Sequence, residues 1–322
     1  MKFLYNQDDL QLICKDIELE TTEIHTSNDF YGQAQILKEY TNYNKPFKFV
    51  FEHSIMFHNI IWEGDLYSEM PVAFVLSNYR KDVYKASRGF KFIFNVGVGF
   101  LYAKKVYDRR HTQINNIKRT GTIVFPSHSS HHIEAVFDIK SLAKKIKNLA
   151  PEFQPVTVCI YWKDYLLGKH RKYEELGIPV ISAGHIYDKN FLISFYDMCK
   201  NFKYATSNDF GSHVFYSIFS GCSFFLLEQP EISYDNPNKD LLAVENEEYI
   251  KNKDIFYKYF PCNKVVSNKI QMDFVSKYAT TKILSPNKLK IILLFTEVIW
   301  FLRKKKILIN FIIYNKLKLL KK

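Results

Sequence analysis

The fold is decided by residues Gly121–Gly168, which read GTIVFPSHSSHHIEAVFDIKSLAKKIKNLAPEFQPVTVCIYWKDYLLG. A short β-rich run, Thr122–Phe125, is followed by a helix-length run, Asp138–Leu149, and then by a second apolar run, Val156–Trp162. The apolar residues of the middle run recur every three or four positions, which is the period of an amphipathic helix. The stretch therefore predicts a strand, a helix and a second, parallel strand joined by a right-handed crossover.

The same alternation continues as far as Leu227. Three more strands are predicted at Pro179–Ala183, Tyr204–Ser207 and Cys222–Leu227, and three more helices at Tyr165–Leu176, Asn190–Phe202 and Ser212–Ser220. The runs VTVCIYW and CSFFLL are continuously apolar, as expected of strands that are buried on both faces. This half of the chain predicts a five-stranded parallel sheet covered by helices on both sides.

The first 120 residues are less regular but favour the same class. Strands are predicted at Phe47–Glu52, Val72–Ser77 and Lys91–Val96, and helices at Tyr31–Tyr40 and Arg80–Ser87. A chain of 322 residues also exceeds the size at which one core usually stops growing. We therefore predict an α/β protein with two Rossmann-like domains that face a cleft, residues 1–118 and 119–285, followed by an amphipathic helical tail, residues 286–322.

The net charge of +12 is concentrated in the tail. Ten of the 45 Lys and Arg residues, but only one of the 33 acids, lie in Pro286–Lys322, so this stretch carries +9 and the rest of the chain +3. A protein that binds nucleic acid is expected to carry its basic stripe on the folded body, and we therefore expect no nucleic-acid partner. The tail mixes bulky apolar residues with lysines, which is typical of segments that lie on anionic membranes. A helix packed on the body of the protein is the alternative, and the two are compatible.

The location of the protein follows from what the sequence lacks. The start has neither the apolar core nor the cleavage site of a signal peptide, and no stretch reaches 18 uninterrupted apolar residues. The five cysteines are scattered, contain no CxxC pair and predict buried, reduced thiols. We expect a cytoplasmic protein that is peripheral on the inner face of the cell membrane.

Polar residues follow each predicted strand of the second half. In open parallel sheets, ligands bind beyond the carboxyl ends of the strands, so these residues are the candidate ligand-binding set. They are Ser127, His128, Ser129, Lys163, His185, Asn208, Gly211, Ser212 and His213. Hydroxyl and imidazole groups at a helix start are suited to hold phosphate oxygens. A solvated loop with helix-capping serines is the alternative.

A metal site is a second interpretation of the run FPSHSSHH. His128, His131 and His132 have the chemistry of metal ligands, but no cysteine or second histidine pair closes the set. We therefore predict no metal. The run Gly97-Val98-Gly99 lacks the third glycine of a dinucleotide fingerprint, and no GxxxxGK[ST] occurs, so we predict no bound cofactor.

In the first half, Glu52 and His53 lie where a strand is expected to end. A carboxylate or imidazole at this edge is suited to act as a general base that removes a proton from an attacking hydroxyl. A buried ion pair or hydrogen bond at the strand end is the alternative.

The segments GTIVFPSHSSHH, VCIYWKDYLLG, ISAGHIYD and SNDFGSHVFYSIFSGCSFF resemble glycosyltransferases of the GT-B type from bacterial capsule and lipopolysaccharide gene clusters. The resemblance covers about Glu52 to Leu227. It implies a metal-independent enzyme that moves a sugar from a CMP- or UDP-sugar to a lipid-linked or growing surface glycan. His185 and the turn at Ser212 are similar in placement to the phosphate-binding elements of bacterial sialyltransferases, although Ile186 stands where those have proline. A non-catalytic sugar- or nucleotide-binding protein of polysaccharide assembly is the alternative.

Overall fold

The computed structural model describes residues 7–319, apart from 57, 88, 112–117, 132, 228–231, 236–246 and 263. His132, one of the candidate metal ligands, is outside the described residues. The chain forms parallel sheets with helices packed against them, and the predicted α/β class is confirmed.

Ten strands are described. They are β1 (Val50–Phe51), β2 (Val72–Val75), β3 (Phe92–Asn95), β4 (Thr122–Phe125), β5 (Glu134–Val136), β6 (Val156–Cys159), β7 (Val180–Ile181), β8 (Tyr204–Ser207), β9 (Ser223–Leu226) and β10 (Ser233–Asp235).

Thirteen α-helices are described, together with two 3-10 segments at Thr26–Gly32 and Pro151–Phe153. The α-helices are α1 (Gln7–Ile13), α2 (Gln33–Thr41), α3 (Glu63–Leu66), α4 (Asn78–Ser87), α5 (Gly99–Arg110), α6 (Ile139–Lys147), α7 (Trp162–Leu166), α8 (Arg171–Glu174), α9 (Phe191–Cys199), α10 (Ser212–Phe219), α11 (Glu247–Tyr259), α12 (Asn268–Val275) and α13 (Pro286–Leu319).

The larger sheet is parallel throughout, with the strand order β7-β6-β4-β8-β9. From β4 the chain first adds strands on one side, β6 and β7, and then returns to add β8 and β9 on the other. The point where this direction reverses lies between β4 and β8. Diverging connections leave a crevice beyond the carboxyl ends of the two strands at such a point.

The smaller sheet contains β1, β2 and β3, all parallel, in that order. A third, antiparallel pair joins β5 to β10 and was not predicted. It lies beyond β4, in the region that the sequence indicated as loop.

Several predicted boundaries agree with the structure, and others differ for local reasons. Strands β4 and β8 have the predicted bounds. The helix predicted at Tyr165–Leu176 is instead the two short helices α7 and α8, with Gly168 between them at φ 72°. This left-handed conformation ends a helix and is readily adopted by glycine.

Helices α5 and α9 pack between the two sheets. The ring of Phe100 on α5 stacks on Tyr216 at 4.6 Å and meets the edge of Phe195 at 5.9 Å. These residues belong to one buried cluster that runs from the smaller sheet to the larger one. The two sheets therefore share a continuous apolar core.

The two ends of the described chain pack on opposite sheets. Leu10 on α1 and the following Cys14 are buried in the core of the larger sheet. Leu289 and Leu293 on α13 are buried, and Phe295 meets the rings of Phe92 and Phe94 of β3. The first turns of α13 thus pack on the body of the protein.

Two predictions about the whole chain, buried cysteines and no membrane-spanning segment, can be compared with the structure. All five cysteines are free; four are buried as predicted, but Cys262 is exposed. Among the described residues, no helix combines the length and apolarity needed to cross a membrane.

Candidate functional site

A cavity of about 440 Å³ opens where strands of both sheets end. Residues that follow β1 form one wall, and residues that follow β4, β6 and β8 form the other. Its polar lining includes Ser54, His58, Ser127, His128, Asp209, Ser212 and His213, and its aromatic lining includes Tyr31, Trp62, Phe125, Tyr161, Phe191, Phe195, Phe210 and Tyr216. The cavity occupies the crevice that the strand order predicts.

The start of α10 lies in this cavity. Gly211, Ser212 and His213 all line it. The first N–H groups of a helix have no partner within the helix, and its dipole makes this end positive. The Ser212 hydroxyl accepts a hydrogen bond from the Ile55 N–H at 3.1 Å, which joins α10 to the loop after β1. The helix start is therefore held against both walls of the cavity.

Two further donors lie where β4 and β8 end. The Ser127 N–H donates to Asn208 Oδ1 at 2.7 Å, which fixes the orientation of the amide. The Ser127 Oγ and the Asn208 Nδ2 are both buried and have no hydrogen-bond partner within the described part of the chain. A buried donor without a partner costs about 1–3 kcal/mol, so this pair is favourable only if a ligand or water accepts from it.

Two imidazoles of the cavity, His58 and His213, are held in the neutral form at pH 7. Burial lowers the pKa of His213 to about 3, and the nearby His128 lowers it further. Burial, with Arg80, lowers the pKa of His58 to about 4. His213 Nε2 lies 3.3 Å from the Asp209 carbonyl oxygen, which can only accept, so Nε2 carries the proton of the neutral ring. His128 is exposed and its ring lies 4.5 Å from that of Tyr161.

Arg80 shapes the wall that follows β1. Its buried guanidinium donates to Glu52 Oε1 and to the carbonyl oxygens of His58 and Ile60. The second carboxylate oxygen of Glu52 accepts from the Leu76 N–H at 3.3 Å. Burial raises the pKa of Glu52, and the charge of Arg80 opposes this shift. Glu52 does not line the cavity, and we correct its assignment from general base to partner of a buried ion pair.

His53 also lies behind the wall rather than in the cavity. Its ring packs among Phe30, Tyr31 and Trp62 at centroid distances of 5.3, 6.5 and 6.4 Å. Burial, with a contribution from His25, lowers the pKa of His53 to about 4. The ring of His53 packs against two aromatic residues of the lining, Tyr31 and Trp62. This position does not support a direct role of His53 as a base.

Two candidates of the larger sheet serve structural contacts instead. Ser129 is buried, and its hydroxyl donates to Asp164 at 2.7 Å and accepts from Lys169 at 2.9 Å. Lys163 places its ammonium over the Trp162 ring at 5.5 Å. Neither lines the cavity, so we withdraw both from the ligand-binding set.

His185 is fully buried beside the Trp162 ring, outside the cavity lining. Together with Asp16 and His131 it forms, in the described residues, a group whose possible ligand atoms lie within 4.8 Å of one another. The Tyr187 N–H donates to His185 Nδ1 at 3.0 Å, so Nε2 carries the proton of the neutral ring and faces Asp16 at 3.4 Å. Metal-binding histidines usually donate from the second nitrogen, so this arrangement does not fit a metal site.

The cavity thus brings together five of the eleven predicted site residues and adds others. Ser127, His128, Gly211, Ser212 and His213 line it, and Asn208 supports Ser127 from behind. Sequence reasoning missed Ser54, His58, Trp62, Tyr161 and, as a site residue, Asp209. The signal that could have found Ser54 and His58 is the whole connection from β1 to α3, of which only the first two residues were considered.

Comparisons with known proteins leave the site to be interpreted from its chemistry. No model of a protein family matches the chain, and no curated protein matches it.

Proposed function

We propose that the protein is a glycosyltransferase of the GT-B type, in which two α/β units enclose the donor site. It moves a sugar from a nucleotide-activated donor to a hydroxyl of a lipid-linked or growing bacterial surface glycan. The observation that carries the proposal is the cluster of donors at the end of β4 and β8. Ser127, whose buried Oγ has no partner, and the start of α10 line one crevice, with the unpartnered Asn208 Nδ2 directly behind Ser127, and these donors suit the phosphate of such a donor substrate.

The charge of the lining favours a donor with a single phosphate. Among the described residues that line the cavity, none is lysine or arginine, Asp209 is an acid, and His58 and His213 are neutral at pH 7. A helix start contributes about half a positive charge, which suits one phosphodiester better than a diphosphate. We therefore favour a CMP-sugar over a UDP-sugar.

The aromatic residues of the lining suit the other parts of the donor. Tyr161 and Phe210 offer flat faces beside the phosphate cluster, against which a base or sugar ring stacks. Trp62 and His58 both follow β1 and line the facing wall, and we assign this side of the cavity to the acceptor.

His58 takes the role of proton acceptor that the sequence suggested for its neighbours. The acceptor hydroxyl attacks the anomeric carbon, the bond from that carbon to the phosphate oxygen breaks, and the phosphate leaves with the electron pair. His58, held by the Arg80 contact to its carbonyl, accepts the hydroxyl proton at Nδ1 after this nitrogen has given up the hydrogen bond that the Ile60 N–H donates to it at 3.2 Å. The start of α10 and the Ser127 hydroxyl stabilise the charge that develops on the leaving phosphate.

Calorimetric titration with CMP, UDP and GDP, followed by assays of transfer from their sugars, tests the proposal. The sharpest variant is Asn208→Asp, because it keeps the oxygen that accepts from Ser127 but replaces the free donor by a negative charge. We expect CMP affinity to fall at least about tenfold, as for the loss of a charge-assisted hydrogen bond. The control is Asn190→Asp at the exposed start of α9, which adds the same charge elsewhere.

Three results decide the matter. Binding of CMP together with sugar transfer supports the enzyme. Binding without hydrolysis or transfer for any donor and acceptor supports the non-catalytic alternative. The phosphate site is refuted if no nucleotide binds the folded protein or if Asn208→Asp binds as tightly as Asn190→Asp.

A further inference from the structure

Helix α13 carries two apolar faces. The inner one contains Leu289 and Leu293, which are buried on the body of the protein. The outer one points away from the body and is formed by side chains spaced three, four or seven residues apart. These are Ile291, Leu294, Val298, Phe301 and Leu302, exposed by 66, 47, 54, 57 and 56%.

Because 3.6 residues make one turn, this spacing places the five side chains in a single stripe along the helix. The stripe spans about three turns and consists of aliphatic and aromatic residues only. A contiguous exposed apolar surface of this kind marks an interaction site.

Basic residues border the stripe on one side and at its end. Lys288 and Lys306 share this edge by the same helical spacing. Lys290, in line with Glu297 on the other edge, instead donates to the Asn42 carbonyl oxygen of the body at 3.1 Å. Lys305 lies at the end of the stripe, with the ammonium 4.7 Å from the Phe301 ring. The occupant of the stripe is therefore apolar at its centre and negatively charged along the Lys288 edge and at the end.

A second copy of the chain does not meet this requirement. The single acid of α13, Glu297, accepts a hydrogen bond from the Tyr43 hydroxyl at 2.6 Å, on the side that faces the body. Two stripes packed together would bury Lys305, which lies in line with the stripe, and would bring the two sets of lysines close together while Glu297 stays bound to Tyr43. Like charges at such close range oppose the contact.

We propose that the outer stripe of α13, the side chains of residues 291, 294, 298, 301 and 302, docks the protein on an anionic lipid surface. The apolar side chains enter the boundary between headgroups and acyl chains, and Lys288, Lys305 and Lys306 contact the lipid phosphates. The helix lies in the plane of the membrane, since its opposite face stays packed on the body. Docking on this surface places the sugar transfer proposed above at the membrane. The inference about docking does not depend on that proposed function.

The test is co-sedimentation of the full chain with vesicles of phosphatidylcholine, with and without phosphatidylglycerol. The outer-face variant replaces Leu294, Val298 and Phe301 by Gln. The matched control replaces Leu12, Leu166 and Leu167 by Gln, because these leucines are also exposed but lie on α1, on α7 and at its end. All six changes are on the surface, and thermal unfolding verifies that both variants are folded.

We expect wild type and control to bind the anionic vesicles, and the outer-face variant to bind about tenfold to a hundredfold more weakly. Binding by wild type should also weaken at high salt and on pure phosphatidylcholine. Equal binding by wild type and the outer-face variant, or no binding by wild type, overturns the proposal. A wild-type dimer that the outer-face variant abolishes, with vesicle binding intact, assigns the stripe to a second copy instead.

Discussion

Arg80 donates hydrogen bonds to oxygen atoms of three residues in the connection after β1, namely Glu52, His58 and Ile60. Both Arg80 and Glu52 are almost completely buried. The ion pair thus holds the backbone from which His58 reaches the cavity. An intact buried ion pair contributes little net free energy of folding. Removal of one partner is strongly destabilising, because it leaves the other charge buried and uncompensated.

The first prediction concerns Glu52→Gln. Loss of the carboxylate leaves the buried Arg80 uncompensated, and we expect the free energy of unfolding to fall by about 3 kcal/mol. The matched control is Asp82→Asn on α4, which breaks the exposed pair with Lys85 and should cost less than about 0.5 kcal/mol. Urea unfolding measures both. A Glu52→Gln protein of unchanged stability that has lost sugar transfer would instead place Glu52 in the chemistry.

The second prediction concerns the pH dependence of transfer. A general base works in its unprotonated form, and the pKa of His58 is lowered to about 4 from an ordinary value of 6.5. The rate should therefore stay level as the pH is lowered from 7 to about 5.5, and His58→Gln should reduce kcat about a hundredfold or more. A rate that already halves near pH 6.5 would indicate a proton acceptor with an unshifted imidazole.

At the scale of residues, the expectation that residues after the strand ends line the ligand site held only for the positions closest to a strand end or a helix start. Ser127 and Ser212 lie in the cavity because the carboxyl ends of β4 and β8 and the start of α10 set their place directly. Ser129, in the connection after β4, turns away because its hydroxyl donates a hydrogen bond to Asp164 of α7. A contact between residues 35 positions apart cannot be read from the local pattern.

At the scale of elements, the 3-10 segment Thr26–Gly32 joins the first half of the chain to the connection after β7. The Tyr31 N–H donates to the Ile186 carbonyl at 2.6 Å. Gly32 has φ 72°, and a Cβ there would lie 2.0 Å from the Lys189 carbonyl oxygen. The close approach of these two backbones requires glycine.

The third prediction separates these two effects at Gly32. Gly32→Ala meets both the positive φ and the clash, whereas Gly177→Ala has φ 71° with no atom within 4 Å of the added Cβ. We expect Gly177→Ala to cost about 1 kcal/mol and Gly32→Ala to cost clearly more, by about 2 kcal/mol or above. Thermal unfolding of both variants tests this. Equal losses would show that the two backbones separate without penalty.

Most elements of the second half could be predicted because their apolar periods are regular and their strands are buried on both faces. The elements of the first half are harder to predict from the sequence. Strand β1 has only two residues, and α5 carries a mixed polar and apolar surface that packs on α2 and α9. The polar residues from Tyr107 onward favour a connecting segment, although α5 continues to Arg110. Burial between two sheets, rather than local propensity, stabilises this helix.

At the scale of the whole molecule, the shared aromatic core has an electrostatic consequence. It encloses or adjoins four imidazoles whose pKa values are lowered chiefly by burial, to about 4 for His53, His58 and His185 and to about 3 for His213. In the unfolded chain each binds a proton below about pH 6.5. The contribution of these groups to stability is therefore complete above pH 6.5 and is lost as the pH falls towards 4. Burial acts in the opposite sense on Asp65, whose pKa is raised to about 6.

The last prediction concerns one of these imidazoles, His53, and compares the pH dependence of the unfolding free energy of a variant with that of wild type. His53→Phe keeps an aromatic ring among Phe30, Tyr31 and Trp62 but removes the titration. Between pH 7 and pH 5.5 this variant should lose about 1 kcal/mol less unfolding free energy than wild type, because its folded state no longer excludes a proton that the unfolded chain binds. Urea unfolding at both pH values gives the difference, and His111→Phe, at an exposed position, is the control. If both variants follow the wild-type slope, His53 is not the buried neutral imidazole that the aromatic packing implies.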